Sequence, residues 1–150
     1  MEHIIRIERM GYGPEAVGHL KDGKAIFIDR AAPGDVVAVE LTEEKPSFAR
    51  GRIVRVEEFS PNRVAPFCEM GEACGGCPWQ HLSYEAQLQA KRANVVAALE
   101  RTAHFDHEAA EGLVGECAPS KRQTGYRNKL ELAAFRAPDG GLALGFSQQG

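Results

Sequence analysis

Short apolar runs separated by turn residues, one long amphipathic stretch and a terminal hairpin signal predict a mainly β fold with one helix. The first 59 residues hold the β-type runs, and their close spacing with Gly and Pro between them suggests a small barrel; five strands in an OB-like arrangement fit. A dense cysteine motif separates this region from the helix, so the expected units are 1–59 (barrel), 60–103 (linker, cysteine loop and helix) and 104–150 (loop and hairpin).

Ile4, Ile5 and Ile7 begin the first strand, and Gly11, Gly13 and Gly18 punctuate the segment after it. The three glycines only superficially resemble a dinucleotide-binding loop: the third is misplaced and a strand comes next, so they are read as a turn. Lys24 to Ile28 is a second apolar run, Pro33-Gly34-Asp35 a turn signal, and Val36 to Leu41 the next strand. Phe48 to Phe59 alternates arginines with Ile53, Val54 and Val56. Pro61 to Pro66 is a linker. Ser83 then suits a helix N-cap, with Tyr84, Leu88, Val95, Val96 and Leu99 as the apolar stripe. Residues 104–119 are polar, acidic and broken by glycine, as expected of a loop. Tyr126 to Phe135 reads as a strand, Pro138 to Gly141 as a turn and Leu142 to Phe146 as the return strand. A lone hairpin has little stability of its own, so the natural protein is expected to continue beyond it.

Apolar residues make up 43% of the 150 and charged residues 26%, which are globular values and exclude a disordered tail. A net charge of −3 excludes a strongly basic nucleic-acid binder, so any RNA contact must rest on local patches. With no apolar leader and no membrane-length run, a cytoplasmic protein without membrane contact is expected. In that compartment clustered cysteines more often bind metal than form disulfides.

The cluster is Cys68, Cys74 and Cys77, in the pattern C-x5-C-G-G-C-x3-H ending at His81. Three thiolates within ten residues suit a soft metal or an iron–sulfur centre, and Gly75-Gly76 lets the backbone fold tightly around it. The residues leave the centre open. His81 completes a Cys3His zinc set on a tighter spacing than the usual finger, Cys74 and Cys77 form a dithiol pair without the expected βαβ context, and a cluster needs a fourth ligand. Cys117, 40 residues on and beside Ala118-Pro119, is read as a separate structural or exposed thiol.

Two basic stretches are candidates for RNA. Arg50, Arg52, Arg55 and Arg63, with Lys45, are interleaved with Phe48 and Phe59, so alternate arginines can track phosphates while aromatics stack on bases. In the second, Tyr126 suits stacking, Arg127 and Lys129 phosphate pairing, and Asn128 a base edge. The solvated strand face is the alternative for both. His104 and His107 are read as exposed loop residues, and Lys91, Arg92 and Arg101 as the solvated helix face.

The order of barrel, C-x5-C-G-G-C, Gln80-His81, helix and Gly125-Tyr126-Arg127-Asn128-Lys129 resembles the N-terminal third of the bacterial RNA uracil-5-methyltransferases of the 23S ribosomal RNA type. The resemblance implies a TRAM barrel that binds RNA, a loop carrying a 4Fe–4S cluster on Cys68, Cys74 and Cys77, and a hairpin opening an α+β central domain. It places the fourth cysteine ligand after the hairpin, beyond these residues, and puts Tyr126 to Lys129 near the RNA cleft. Trp79 then fits as packing against the cluster, whose role is to shape the fold and RNA site. In that family a cysteine thiolate adds to carbon 6 of uracil, carbon 5 takes the methyl group of S-adenosylmethionine, and a carboxylate removes the carbon 5 proton. The nucleophile's Ser-Cys-Asn-Pro motif is not in this sequence, nor is an S-adenosylmethionine glycine loop, so the 150 residues are expected to be inactive alone. Ribosomal RNA is the expected partner. A stand-alone zinc-bound RNA-binding module using Cys68, Cys74, Cys77 and His81 is the alternative.

Overall fold

In the computed structural model, which describes residues 1–72 and 74–146, five strands close a barrel at the N-terminal end. They are β1 (Glu2–Met10), β2 (Ala16–His19), β3 (Ala25–Ile28), β4 (Val36–Glu44) and β5 (Phe48–Glu58). Their order is β1-β2-β3-β5-β4, with β4 returning to β1; every pairing is antiparallel except β3 with β5. Alternation puts Ile5, Ile7, Ile26, Ile28, Val37 and Val39 inside, while Ile4 faces out.

The strand that the sequence did not announce is β2. Gly18, expected in a turn, lies within it opposite Ile7. A Cβ there would sit 2.5 Å from Ile5 Cγ2 and 2.7 Å from the Arg6 carbonyl, so glycine serves close approach to β1. Gly18→Val is expected to cost roughly 1–3 kcal/mol through forced separation of β1 and β2, read as a lower urea midpoint.

Between β3 and β4 the chain turns at Pro33-Gly34, where Gly34 has φ 96° and the Asp35 N–H donates to the Ala32 carbonyl at 2.9 Å. This turn delivers Asp35 into the interior with no exposed surface. Its Oδ1 accepts from the Ser60 N–H at 2.9 Å and its Oδ2 from the Ala32 N–H at 2.7 Å. Arg63 donates to it from Nε and, at 2.8 Å, from Nη2, which also reaches the Arg30 carbonyl. Arg63, grouped with the basic stretch on sequence, is therefore a clamp between the linker and the barrel.

The linker then ties the neck of the cysteine loop. The Val64 N–H donates to the His81 carbonyl at 3.0 Å and the Ser83 N–H to the Asn62 carbonyl at 2.8 Å, while Leu82 is buried in the barrel core. A short 3-10 helix spans Glu69–Glu72 inside the loop.

Helix α1 (Tyr84–Ala103) starts at Ser83 as expected, with the Ser83 hydroxyl accepting from the Ala86 N–H at 3.2 Å. Its buried residues are Ala86 and Val96; Val95, assigned to the stripe, is 51% exposed, because small side chains make the close contact with the barrel. His104 ends the helix in a left-handed conformation, φ 58°.

The expected loop at 104–119 contains a second helix, α2 (His107–Leu113), capped by Asp106 and packed on α1. Arg92 is not a solvated residue: it donates to the Glu111 and Val114 carbonyls and pairs with the Glu111 carboxylate at 2.7 Å. His107 pairs with Glu100, whose hydrogen bond raises its pKa.

The hairpin is shorter than expected, with β6 at Ala133–Arg136 and β7 at Leu142–Gly145, so Tyr126 to Leu132 is not strand. Phe135, Leu142, Leu144 and Phe146 are each more than half exposed. Residues 147–150, the end of the third expected unit, lie outside the described residues. No helix among the described residues is long and apolar enough to cross a membrane.

Candidate RNA interface and cysteine loop

All three clustered cysteines are free thiols; Cys68 and Cys74 are half-buried and Cys77 is exposed. The Cys74 N–H donates to the Met70 carbonyl at 2.9 Å, and the Gly76 N–H points at Cys74 Sγ at 3.4 Å. The Cys68 N–H is held by Gln80 Oε1 at 3.2 Å. As a donor set, three thiols on a glycine-bearing loop fit a thiophilic centre. Among the described residues, however, no three His, Cys, Asp or Glu side chains are gathered closely enough to hold a metal ion.

His81 is docked on the barrel. It is buried, with its Nε2 3.0 Å from the Ala31 carbonyl. Burial lowers its pKa, opposed by hydrogen bonds to the Ala31 and Pro78 backbone. The ring, wedged against the barrel, serves to dock the loop. Trp79 also packs against the barrel core, and its indole N–H donates to the Gly13 carbonyl at 3.2 Å. It thus spends its polar handle on the barrel. Cys117 lines a separate cleft with Glu85, Leu88, Gln89, Arg92 and Glu116, which none of the three clustered cysteines borders.

The arginines of β5 do lie along an exposed strand, but each already has a carboxylate. Arg50 pairs with Glu15 at 2.9 Å and Glu43 at 3.0 Å, Arg52 with Glu40 at 2.8 Å, and Arg55 with Glu2 and Glu57. The Lys45 ammonium, seconded by Arg50, holds Glu43 below the usual carboxylate range. Cross-strand register explains the ladder, since Glu40 and Glu43 on β4 sit opposite Arg52 and Arg50 on β5. Spacing along one strand shows the cations; apart from Glu57, two residues from Arg55, the neutralising partners come from other segments and are not legible there. Exposed pairs of this kind are worth only about 0–1 kcal/mol, so a phosphate can displace them.

The second basic stretch is in the open. Residues 120–136 are exposed throughout, and Arg127 lies over the Tyr126 ring at 5.8 Å. Lys129 pairs with the equally exposed Glu131 at 2.7 Å.

The TRAM domain family matches residues 4–54, within the barrel. Beyond it, the chain is 43% identical over 111 residues to an uncharacterized RNA methyltransferase of Porphyromonas gingivalis, covering 74% of this chain and 23% of that protein. It is 35% identical over 131 residues to the 23S rRNA (uracil(1939)-C(5))-methyltransferase RlmD of Vibrio campbellii, covering 87% of this chain and 28% of that protein. Among solved structures, the Pyrococcus abyssi tRNA (uracil-54, C5)-methyltransferase in complex with S-adenosyl-L-homocysteine matches with a TM-score of 0.57 and 30% identity. That match covers 97% of this chain and 29% of the solved one. The chain therefore spans between 23% and 29% of the length of these relatives.

Proposed function

Residues 4–54 are a TRAM domain and the chain matches the N-terminal portion of RNA methyltransferases; on that premise we propose that it is the RNA-binding and cysteine-loop portion of an enzyme forming 5-methyluridine in RNA. The observation that carries this is the extent of the match. An alignment of 131 residues in a chain of 150, trimmed at the ends, still runs across the cysteine loop and α1. The likeness is therefore to barrel, loop and helix together, beyond what a TRAM barrel alone would give. Ribosomal RNA is the proposed substrate, and the cytoplasm the proposed compartment.

S-adenosylmethionine supplies the methyl group, and its binding and the transfer itself are assigned to the length of the relatives that these residues do not span. Cys68, Cys74 and Cys77 would hold three corners of a 4Fe–4S cluster, whose contribution is to brace the loop against the barrel. The chain's own residues already provide the seat: Leu82 and His81 at the neck, Trp79 on the Gly13 carbonyl, and the Asp35–Arg63 clamp below. RNA contact is assigned first to Tyr126, Arg127, Asn128 and Lys129, which stand exposed. Arg50, Arg52 and Arg55 contribute where phosphates displace their glutamates.

Arg127→Ala is expected to weaken binding to a 23S-derived RNA and to reduce the salt dependence by about one phosphate contact, with the unfolding transition unchanged. Unchanged affinity across a salt series would take Arg127 out of the interface.

A further inference from the structure

The loop between β1 and β2, residues 11–15, is held from four directions. Its ends close on each other, the Gly11 N–H donating to the Glu15 carbonyl at 2.8 Å. From α1, Asn94 Nδ2 donates to the Gly11 carbonyl at 2.9 Å. From the cysteine loop comes the Trp79 hydrogen bond to Gly13, and from β5 the Arg50 bond to the Glu15 carboxylate. A Cβ on Gly11 would lie 2.8 Å from the Glu15 carbonyl oxygen, so the tight closure depends on glycine there.

At the tip of this braced loop is Tyr12, 92% exposed, whose ring makes no hydrogen bond or aromatic pair among the described residues. Burying such a ring would have been the simpler use of an aromatic residue. A large ring displayed on a fixed backbone costs little further ordering when a flat partner arrives. One helical turn before Asn94, on the same face of α1, Lys91 is exposed and has no ion pair among the described residues. On β5 Arg50, Arg52 and Arg55 carry carboxylate partners, whereas here an aromatic and a cation stand without one among the described residues.

We propose that Tyr12 is a stacking platform for an unpaired nucleobase of RNA, with Lys91 taking an adjoining phosphate. This rests on the RNA-binding reading above and adds a contact that no basic stretch in the sequence indicated. Stacking on aromatic side chains is tolerant of base identity, so the platform would fix the path of a single strand without reading its sequence.

The test compares a short oligouridylate with an abasic oligoribonucleotide of equal length and charge, by fluorescence anisotropy with the 150-residue chain. Tyr12→Ala is expected to lose roughly 5- to 150-fold in affinity for oligouridylate and nothing for the abasic probe. Tyr12→Phe retains affinity for both, and Lys91→Ala weakens both alike. Equal binding of oligouridylate by parent and Tyr12→Ala overturns the inference and leaves the RNA-binding reading intact. Equal loss on both probes also overturns it, since that marks loop disruption. If the parent binds neither probe, the RNA-binding reading itself falls and takes this contact with it.

Discussion

Asp35→Ala is expected to destabilise the chain by about 3–5 kcal/mol, the range for breaking a buried ion pair by removing one partner. The carboxylate has no exposed surface and answers donors from three places: the Ala32 and Ser60 N–H groups and the Arg63 guanidinium. Removing it strands two buried amides, each costing about 1–3 kcal/mol when unsatisfied, beside an uncompensated guanidinium. Arg63 is the less enclosed partner, with its side chain 20% exposed, so Arg63→Ala should cost less than Asp35→Ala. Urea unfolding checks both, and the double variant should be less destabilised than the two single losses summed. Additive losses would mean that the two residues act separately. Against a total stability of about 5–15 kcal/mol, this one contact decides whether linker and cysteine loop stay seated on the barrel.

How much of the fold is legible in the sequence depends on how local each signal is. Alternation in β1, β4 and β5 and the Ser83 cap are written in adjacent residues, and these elements form where expected. The short strand β2 escapes because Ala16–His19 is four residues long and contains Gly18, whose reason for being glycine is the close approach of the neighbouring strand β1. Helix α2 hides behind Gly112, and is held by the packing of Ala110 and by Arg92 reaching over from α1. The same limit governs the candidate sites. Cysteine spacing and the basic run at 121–129 are local patterns, visible in the residues themselves. That Arg50 and Arg52 face Glu43 and Glu40, and that Arg63 finds Asp35, depends on pairing between distant segments. Tyr12 between two glycines is visible as an aromatic in a turn; only the bracing from Asn94 and Trp79 makes its exposure informative.

Protein purified without oxygen is expected to carry iron with an equal amount of acid-labile sulfide, and Cys68→Ser, Cys74→Ser or Cys77→Ser each to lose most of both. The reason is chemical: three free thiols on one short loop are soft ligands, and each supplies one of the few bonds by which a cluster is retained. Cys117→Ser is the internal control, since Cys117 sits in its own cleft against α1 and should leave the iron content unchanged. The zinc alternative makes the opposite forecast: stoichiometric zinc, no sulfide, and loss of the metal in a His81 variant. In the structure His81 Nε2 is held by the Ala31 carbonyl, so a zinc set would have to take the ring through Nδ1. Because metal binding and ordering of the loop are coupled, cysteine variants should also expose Trp79. A red shift of the emission of this lone tryptophan would report detachment from the Gly13 carbonyl. Iron lost with Trp79 emission unshifted would show instead that the barrel alone seats the loop, through Leu82 and His81, and that the cluster serves some part of the enzyme other than this docking.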